Sequence, residues 1–260
     1  MRAAAVLAFA GALIVAMLIV VHVVESGAGR PTAQAGHVAV SLRPTAQPSH
    51  DRSAGASPSP SVSASPATAH FAAAVAELGP GLRARMTASG SWRASCPVGL
   101  DDLRLLTLSY WGFDGAVHRG RLVVHGDVAR QVVSVFRQLF QAHYPIRRMV
   151  LVDDFGADED RVMAADDTCG YNGRWVYGKP GVWSEHAFGK AVDINPLENP
   201  YVYGGKVAPA AGRKYLDRAL RSMGMIEAND AAVRAFASIG WVWGGSWASP
   251  DYMHFSASGN

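Results

Sequence analysis

The ten residues SEHAFGKAVD, at positions 184–193, carry the pattern on which the fold prediction rests. They hold His186 and Asp193, with Gly189 between them. Seven positions are too many for one helical turn, but glycine can take a tight turn because it has no side chain. A chain reversal at Gly189 would bring His186 back over a short strand, Ala191–Ile194, that carries Asp193. The stretch therefore predicts a turn followed by a strand, with a histidine and a carboxylate close together.

A second stretch, WGGSWASPDYMH at 243–254, adds His254 and, three positions earlier, Asp251. Residues three apart can lie on the same side of a turn. Two imidazoles and a carboxylate match the three protein ligands of a hydrolytic zinc, which keeps one position open for water. We therefore predict a zinc site at His186, Asp193 and His254, with Asp251 placed to touch the water. Taken singly, each residue also suits a structural role, such as a buried histidine or the cap of a strand.

Outward from these stretches, the apolar pattern predicts an α+β domain with a small, mainly antiparallel sheet flanked by helices. The predicted strands are Leu103–Trp111, Arg121–His125, Arg148–Val152, Ala191–Ile194 and Trp241–Trp243. The predicted helices are Phe71–Met86, interrupted near Gly79–Gly81, a helix capped by Asp127 that runs to about His143, and helices near 212–222 and 230–239. Residues 154–183 are rich in Asp, Gly, Asn and Trp and lack periodicity, which is typical of a functional loop.

The composition divides the chain into three parts. Residues 3–24 carry no charge, and such a run is long enough to cross a bilayer as a helix. We expect residues 1–25 to be an uncleaved single-pass membrane anchor, with a removed secretory signal as the alternative. In residues 26–70, 32 of 45 are Ala, Ser, Pro, Gly or Thr, which predicts a disordered linker. All seven Trp and both Cys lie in residues 71–260, the predicted folded domain.

The charge of the folded part argues against one class of partner. The whole chain has a formal net charge of +3, but residues 71–260 hold 20 Lys and Arg against 19 Asp and Glu. No basic patch is implied, so nucleic acid is not an expected partner.

Both zinc motifs together resemble those of the D-alanyl-D-alanine carboxypeptidase family of zinc peptidases. This family includes D-Ala-D-Ala dipeptidases and L-alanyl-D-glutamate endolysins. The matching patterns are SxHxxGxAxD at Ser184–Asp193 and WGGxW with DxxH at Trp243–His254. The resemblance continues upstream through LSYWGFDGAVHRG (108–120) and PIRRMVLVDDFG (145–156), so it covers roughly residues 105–256.

The resemblance implies a hedgehog-like zinc peptidase fold with one Zn²⁺ per chain, bound by His186, Asp193 and His254. Asp251 is then the catalytic carboxylate, where several relatives have the longer Glu. An arginine should steady the substrate. Arg174 is the favoured candidate and Arg161 the alternative, and either could instead pair with Asp166 or Asp167. Ser184 would support the site from behind its ligands.

We therefore expect a monomeric, membrane-tethered, extracytoplasmic peptidase that cleaves peptidoglycan stem peptides, as a carboxypeptidase or an endopeptidase. A hydrolase of free D-Ala-D-Ala and a catalytically silent wall-binding domain are the alternatives. Because disulfides persist outside the cytoplasm, Cys96 and Cys169 are expected to form a bridge that pins the long loop to the start of the domain. Neither cysteine is expected to bind zinc, since the ligand set is already complete.

Overall fold

The computed structural model describes residues 69–260, which form an α+β fold. The strands are β1 (Ala73–Glu77), β2 (Leu103–Trp111), β3 (Val117–His125), β4 (Ala191–Asp193), β5 (Tyr201–Tyr203), β6 (Lys206–Ala208), β7 (Val242–Trp243) and β8 (His254–Ser256). The α-helices are α1 (Pro80–Ser89), α2 (Gly126–Gln141), α3 (Glu159–Ala164) and α4 (Ala231–Ala237). The predicted anchor and nearly all of the predicted linker lie outside the described residues. Within residues 69–260, no helix has the length and apolar character needed to cross a membrane.

All the strand pairings are antiparallel. The first sheet has the order β1-β2-β3, the second has the order β4-β8-β7, and β5 pairs with β6 in a separate ribbon. The predicted fold class, an α+β arrangement with small antiparallel sheets, is thereby confirmed. The second sheet is only three short strands wide, so it depends on the packing beneath it for its stability.

One continuous core joins the two main sheets through α2. The apolar stripe predicted for this helix is buried: Val128, Val132, Val135, Phe136, Leu139 and Phe140. The helix packs on β2 and on α4, and its core extends to Val192 of β4 and Phe255 of β8. The rings of Phe236 in α4 and Phe255 are stacked with centroids 4.0 Å apart. The short strands of the second sheet are therefore held on the same core as the long ones.

The first predicted helix is wrong over its first half. Residues Ala73–Glu77 form β1, an edge strand whose five side chains are all exposed and which pairs with β2. The helix α1 begins only at Pro80, a residue favoured in the first turn of a helix because it has no N–H to leave unpaired. The alanine-rich sequence favours a helix locally, but pairing with the edge of β2 decides the outcome.

Most of the other predicted helices and strands lie where the sequence predicts them, but their first and last residues differ. Strand β2 has the predicted bounds, whereas β3 begins four residues earlier than predicted. His125, and not Asp127, caps α2, since its side chain accepts a hydrogen bond from the Asp127 N–H. Residues 148–151 are extended without forming a strand, and 3₁₀ turns replace the helix predicted near 212–222. Strand β8 was not predicted at all.

Asp166 and Glu198 are a pair of buried carboxyl groups close to Arg147. Glu198 is 1% exposed and Asp166 is 4% exposed, and the Oε2 atom of Glu198 has no hydrogen-bond partner. The half-exposed Arg147 approaches both, with Nε 3.5 Å from Asp166 Oδ2 and a terminal nitrogen 4.0 Å from Glu198 Oε1. Burial, together with the neighbouring Asp166 carboxyl, raises the pKa of Glu198 to about 8. The folded protein therefore keeps Glu198 protonated at neutral pH.

This proton makes the stability of the fold depend on pH. Above the ordinary glutamate pKa, the unfolded chain releases a proton that the folded protein retains, so the free energy of unfolding falls as pH rises from about 5 to 8. In Glu198→Gln, whose neutral amide does not titrate, this fall should be clearly smaller. Urea unfolding at several pH values across the window measures it, with Glu77→Gln on the exposed edge strand as control. An unchanged fall in Glu198→Gln would contradict the assignment.

Candidate metal centre

The register of the second sheet places two of the predicted ligands side by side. Asp193 is the last residue of β4 and His254 the first of β8, and the antiparallel pairing puts them directly opposite each other. Opposed side chains of an antiparallel pair point to the same face of the sheet. The Nδ1 atom of His254 lies 3.0 Å from Oδ1 of Asp193, and both residues are buried.

A short 3₁₀ turn brings the third predicted ligand to the same point. Ser184 caps the turn Glu185–Phe188 by accepting a hydrogen bond from the His186 N–H. Gly189 ends it with φ +65°, and a Cβ at this position would lie 2.6 Å from the backbone nitrogen of His125. The His186 ring therefore folds back over β4. Its Nε2 atom is 3.1 Å from Asp193 Oδ2 and 3.2 Å from His254 Nδ1.

The tautomer of His186 follows from the partner of Nδ1, the ring nitrogen that does not face Asp193. Nδ1 lies 2.6 Å from the carbonyl oxygen of Gly170, which can only accept a hydrogen bond, so Nδ1 carries the hydrogen. In the neutral ring, Nε2 then directs a lone pair towards Asp193. Burial opposes a charge on His186, but the Asp193 carboxylate outweighs that effect and raises the pKa of the ring. A proton is thus a direct competitor for any cation at this point.

Asp193 is held in its ionised form. Burial alone would favour the neutral acid, but the charges and hydrogen bonds of His186 and His254 lower the pKa of Asp193 well below its usual range. Full burial of a carboxylate is tolerated only when positive charge or hydrogen bonds compensate for the lost hydration. The cluster therefore has the charge that attracts a cation.

These three side chains fit a divalent metal such as zinc. Tetrahedral Zn²⁺ with bonds of 2.0–2.1 Å to nitrogen and oxygen separates neighbouring ligand atoms by about 3.3 Å. The two imidazole nitrogens are 3.2 Å apart, and each faces its own oxygen of the Asp193 carboxylate, His254 Nδ1 at 3.0 Å from Oδ1 and His186 Nε2 at 3.1 Å from Oδ2. Nitrogen and carboxylate oxygen are donors that zinc accepts, and the site borders an open cleft that leaves room for a further ligand.

Cys169 lies in the same cluster, although neither cysteine was expected at the zinc site. Its backbone pairs with that of Asp193, and its sulfur belongs to a group of ligand atoms, with His186 and Asp193, that all lie within 4.8 Å of one another. Nδ1 of His254 lies 3.0 Å from Asp193 Oδ1 and 3.2 Å from His186 Nε2, and His254 borders the cleft, so we favour His254 as the ligand. Burial raises the pKa of the Cys169 thiol well above its ordinary value, which favours the weakly binding thiol form.

The predicted disulfide bridge is wrong, because Cys96 and Cys169 are both free. Cys169 is committed to the strand beside Asp193, whereas Cys96 packs against Gly173 and accepts a weak hydrogen bond from the Arg93 N–H. The long loop is nevertheless tied to the start of the domain. The Gly173 N–H donates to the Ser91 carbonyl at 2.7 Å, and this hydrogen bond connects the loop to the start of the domain in place of the expected disulfide.

Asp251 borders the same cleft as Asp193 and His254. Its N–H donates to the Gly244 carbonyl at 3.0 Å, which folds the segment between Trp243 and Asp251 into a closed turn. The Oδ1 atom of Asp251 is buried without a hydrogen-bond partner. Burial raises the pKa of Asp251 to about 7, with a smaller increase from Asp193 and an opposing effect of His254. This carboxyl group is thus poised to exchange a proton near neutral pH.

The structure separates the two candidate arginines. Arg174 lines the cleft and forms a two-point ion pair with Glu159, with Nε 2.7 Å from Oε2 and a terminal nitrogen 2.7 Å from Oε1. Arg161 is exposed and is not among the residues that line the cleft. The partner of Arg174 is Glu159, and not Asp166 or Asp167 as the structural alternative proposed. Glu159 is a site residue that was not predicted, because its position directly after the Asp158 cap of α3 suggests only the start of a helix.

The cleft has a volume of about 670 Å³ and is lined by both apolar and charged side chains. Aromatic side chains line it: Tyr177, Trp183, Tyr201 and Trp247. Charged groups of both signs reach it as well, including Lys179, Glu185 and the Arg174–Glu159 pair. A groove with apolar surfaces and a few polar groups, open beside a candidate metal centre, suits a peptide with its own polar backbone.

A family model described as D-alanyl-D-alanine carboxypeptidase matches residues 177–257, which include all three predicted ligands and Asp251. Residues 177–257 belong to this carboxypeptidase family. The predicted family, a peptidase family, is thereby confirmed over these residues. No curated protein and no solved structure matches the chain. The matched segment is under a third of the chain, and Arg174 and Cys169 lie just before it.

The turn at Gly189 offers a direct test of how this carboxypeptidase-family domain builds its centre. In Gly189→Ala, the new side chain would be strained by the left-handed backbone and would also clash with the backbone of His125. The turn that carries His186 must therefore move. We expect lowered stability and at least a tenfold loss of zinc affinity, measured by competition with a chelator. Gly115→Ala is the control, because it shares the left-handed backbone, with φ +73°, but meets no atom within 4 Å. Equal zinc affinity in both variants would contradict this role of the turn.

Proposed function

We propose that the chain is a zinc-dependent peptidase that cleaves the stem peptides of peptidoglycan. The observation that carries the proposal is the convergence of His186 Nε2, His254 Nδ1 and the Asp193 carboxylate to within 3.0–3.2 Å of one another. Asp251 adds a fourth group, a buried carboxyl in the same cleft. The substrate class comes from the family description, which names a D-alanyl-D-alanine carboxypeptidase.

When bound at this site, zinc would polarise the scissile carbonyl group and acidify a water molecule. Asp251 would take the proton of the attacking water and pass it to the leaving amine. Before a metal binds, burial raises the pKa of the Asp251 carboxyl to about 7, so this group can accept and release a proton near neutral pH. The closed turn between Gly244 and Asp251 holds this carboxyl at the wall of the cleft.

Arg174 would orient the substrate by binding its carbonyl or carboxylate oxygen. The ion pair with Glu159 fixes the guanidinium plane, so the group is already oriented before a substrate arrives. A fixed guanidinium can donate to an oxygen through its remaining N–H groups. The aromatic side chains on the walls would pack on the apolar parts of the peptide.

The proposed location is the outer face of a membrane, with residues 1–25 as the anchor and residues 26–70 as the spacer. It is supported by the uncharged run at 3–24 and by the Ala-, Ser- and Pro-rich composition that follows. A tethered enzyme needs such a spacer to reach wall polymer, whereas a hydrolase of free dipeptides does not.

An assay of the purified full-length chain tests the proposal. The protein is incubated with muropeptides and with free D-Ala-D-Ala, in the presence of zinc or of a chelator, and the products are identified by mass. Zinc-dependent release of D-Ala from muropeptides would show a carboxypeptidase, and shorter stem fragments an endopeptidase. Cleavage of the free dipeptide alone would favour the dipeptidase alternative. No zinc-dependent product from either substrate would contradict the proposal and favour a silent wall-binding domain.

Two substitutions should separate the ligand role from the proton-transfer role. Asp251→Asn should keep zinc bound and lower kcat by about 10²–10⁴-fold, the usual contribution of a general base. His186→Ala should lose both zinc and turnover. Zinc content and kcat are measured on the same preparations, with Asp127→Asn at the exposed start of α2 as control. Turnover of Asp251→Asn equal to that of the wild type would remove this residue from the mechanism.

A further inference from the structure

The first sheet has one covered edge and one open edge. Three residues of β3 form backbone hydrogen bonds of 2.7–3.0 Å with segments that lie beside this strand: Arg121 with Met149, Val123 with Tyr171, and His125 with Gly189. At the other edge, β1 pairs with β2 and with no other strand of residues 69–260. The β1 edge is therefore the place where this sheet can accept a further strand.

The pairing of β1 with β2 leaves every second residue of β1 facing outward. The Ser109 N–H donates to the Ala72 carbonyl at 2.9 Å, so the ladder of hydrogen bonds to β2 includes Ala72. Hydrogen-bonded positions alternate along an antiparallel pair, and the N–H and C=O groups of Ala73, Val75 and Glu77 therefore point away from β2. Within residues 69–260, these outward groups have no backbone partner. An added strand would satisfy them.

Strand β1 lacks the features by which exposed edge strands usually avoid pairing. Such edges are commonly protected by Lys, by Pro or by a bulge that interrupts the ladder. The sequence of β1 is AAVAE, without Lys or Pro, and its register with β2 is continuous from Ala73 to Glu77. All five side chains are exposed, and four of them are apolar. This edge is thus regular and open to a second strand.

We propose that β1 is a dimerisation edge, at which two copies of this chain pair their β1 strands antiparallel around a two-fold axis at Val75. The outward residues then face each other, Val75 with Val75 of the second copy and Ala73 with Glu77, and the two sheets join into one of six strands. This register overlaps all five residues and keeps the two Glu77 carboxylates apart. A register centred on Glu77 would instead place like charges opposite each other. Such a dimer is independent of the proposed function and departs from the monomer expected from the sequence.

The helix α2 lies on the same face of the sheet in both copies. Val75 is opposite Leu106, whose side chain is buried in the core with α2, so Val75 projects on the face that α2 covers. Phe71, two residues before β1, packs on Phe140 of α2 with ring centroids 5.6 Å apart. A two-fold axis perpendicular to the sheet keeps both copies of α2 on this face.

The same pairing brings opposite charges together. Glu77 of one copy lies opposite Ala73 of the other, two residues from Phe71. The exposed guanidinium of Arg137 in α2 lies 5.0 Å from the centroid of the Phe71 ring. Diagonal neighbours across a strand pair are within reach of long side chains. Each Glu77 can therefore form an ion pair with Arg137 of the second copy, so the dimer has two symmetric ion pairs.

A cysteine at the proposed two-fold axis tests the pairing. Directly opposed residues of a hydrogen-bonded antiparallel pair have Cα atoms about 5.5 Å apart, which a disulfide can span. In the full-length chain with Val75→Cys, mild oxidation should therefore give a covalent dimer. Ala73→Cys is the matched control, because it is exposed on the same strand but its two copies would lie about 13 Å apart along the strands. The wild type, with Cys169 buried and Cys96 partly buried, gives the background.

Sedimentation of the full-length chain in mild detergent measures the association without a cross-link. The wild type should reach twice the mass of one chain as its concentration is raised. Glu77→Arg and Arg137→Glu should each weaken dimerisation by about 3–30-fold, because each change places like charges at both symmetric contacts. The double variant should restore dimerisation. Arg213→Glu, the same change at an exposed position that the proposed interface does not include, should have no effect.

The proposal is overturned if Val75→Cys and Ala73→Cys cross-link equally, or if neither gives more covalent dimer than the wild type. A mass of one chain at every concentration would also overturn it, as would follow if another segment of the chain occupied the β1 edge. A double variant that dimerises no better than the single variants would refute the predicted register.

Discussion

The pairing of β4 with β8 is the constraint on which the candidate centre depends. Two strands of three residues each would not be stable alone, but Val192 and Phe255, the central residues of the two strands, are fully buried in the main core. Their burial fixes the register, because a slip of one residue would turn Asp193 and His254 to the opposite face of the sheet. The long apolar helix α2 and the stacked rings of Phe236 and Phe255 thus contribute to the geometry of a site that they do not touch.

The parts of the site that could be predicted from sequence are those specified by local spacing. His186, Gly189 and Asp193 lie within ten residues, and the turn at Gly189 is a property of glycine itself. The amphipathic period of α2 and the apolar alternation of β2 are likewise local, and both elements lie where the sequence predicts them. Asp251 and His254 are likewise close in sequence, only three positions apart.

The remaining features depend on pairings between distant segments. The alanine-rich stretch at Ala73–Glu77 forms a strand because the edge of β2 is available, which no local pattern shows. Glu159 and Arg174 meet in an ion pair across 15 positions of the chain, and the backbone of Cys169 pairs with that of Asp193 while its thiol stays free. Strand β8 is too short to give a period, and only its pairing with β4 and β7 defines it.

The charges of the cluster explain why it attracts a cation. A buried carboxylate faces the inner nitrogens of two imidazoles, and either protons or a metal must balance its charge. The same burial that makes this balance necessary keeps Asp251 close to its point of half-ionisation at neutral pH. A cation at the cluster and a carboxyl group that exchanges protons beside it are complementary parts of a hydrolytic site.

Anomalous X-ray diffraction from crystals soaked in zinc would test the central claim most directly. The account predicts a peak above the zinc absorption edge, at about 2.0–2.2 Å from Nε2 of His186, Nδ1 of His254 and one carboxylate oxygen of Asp193. A zinc ion bound by Cys169 in place of His254, or no peak within reach of the three predicted ligands, would contradict it.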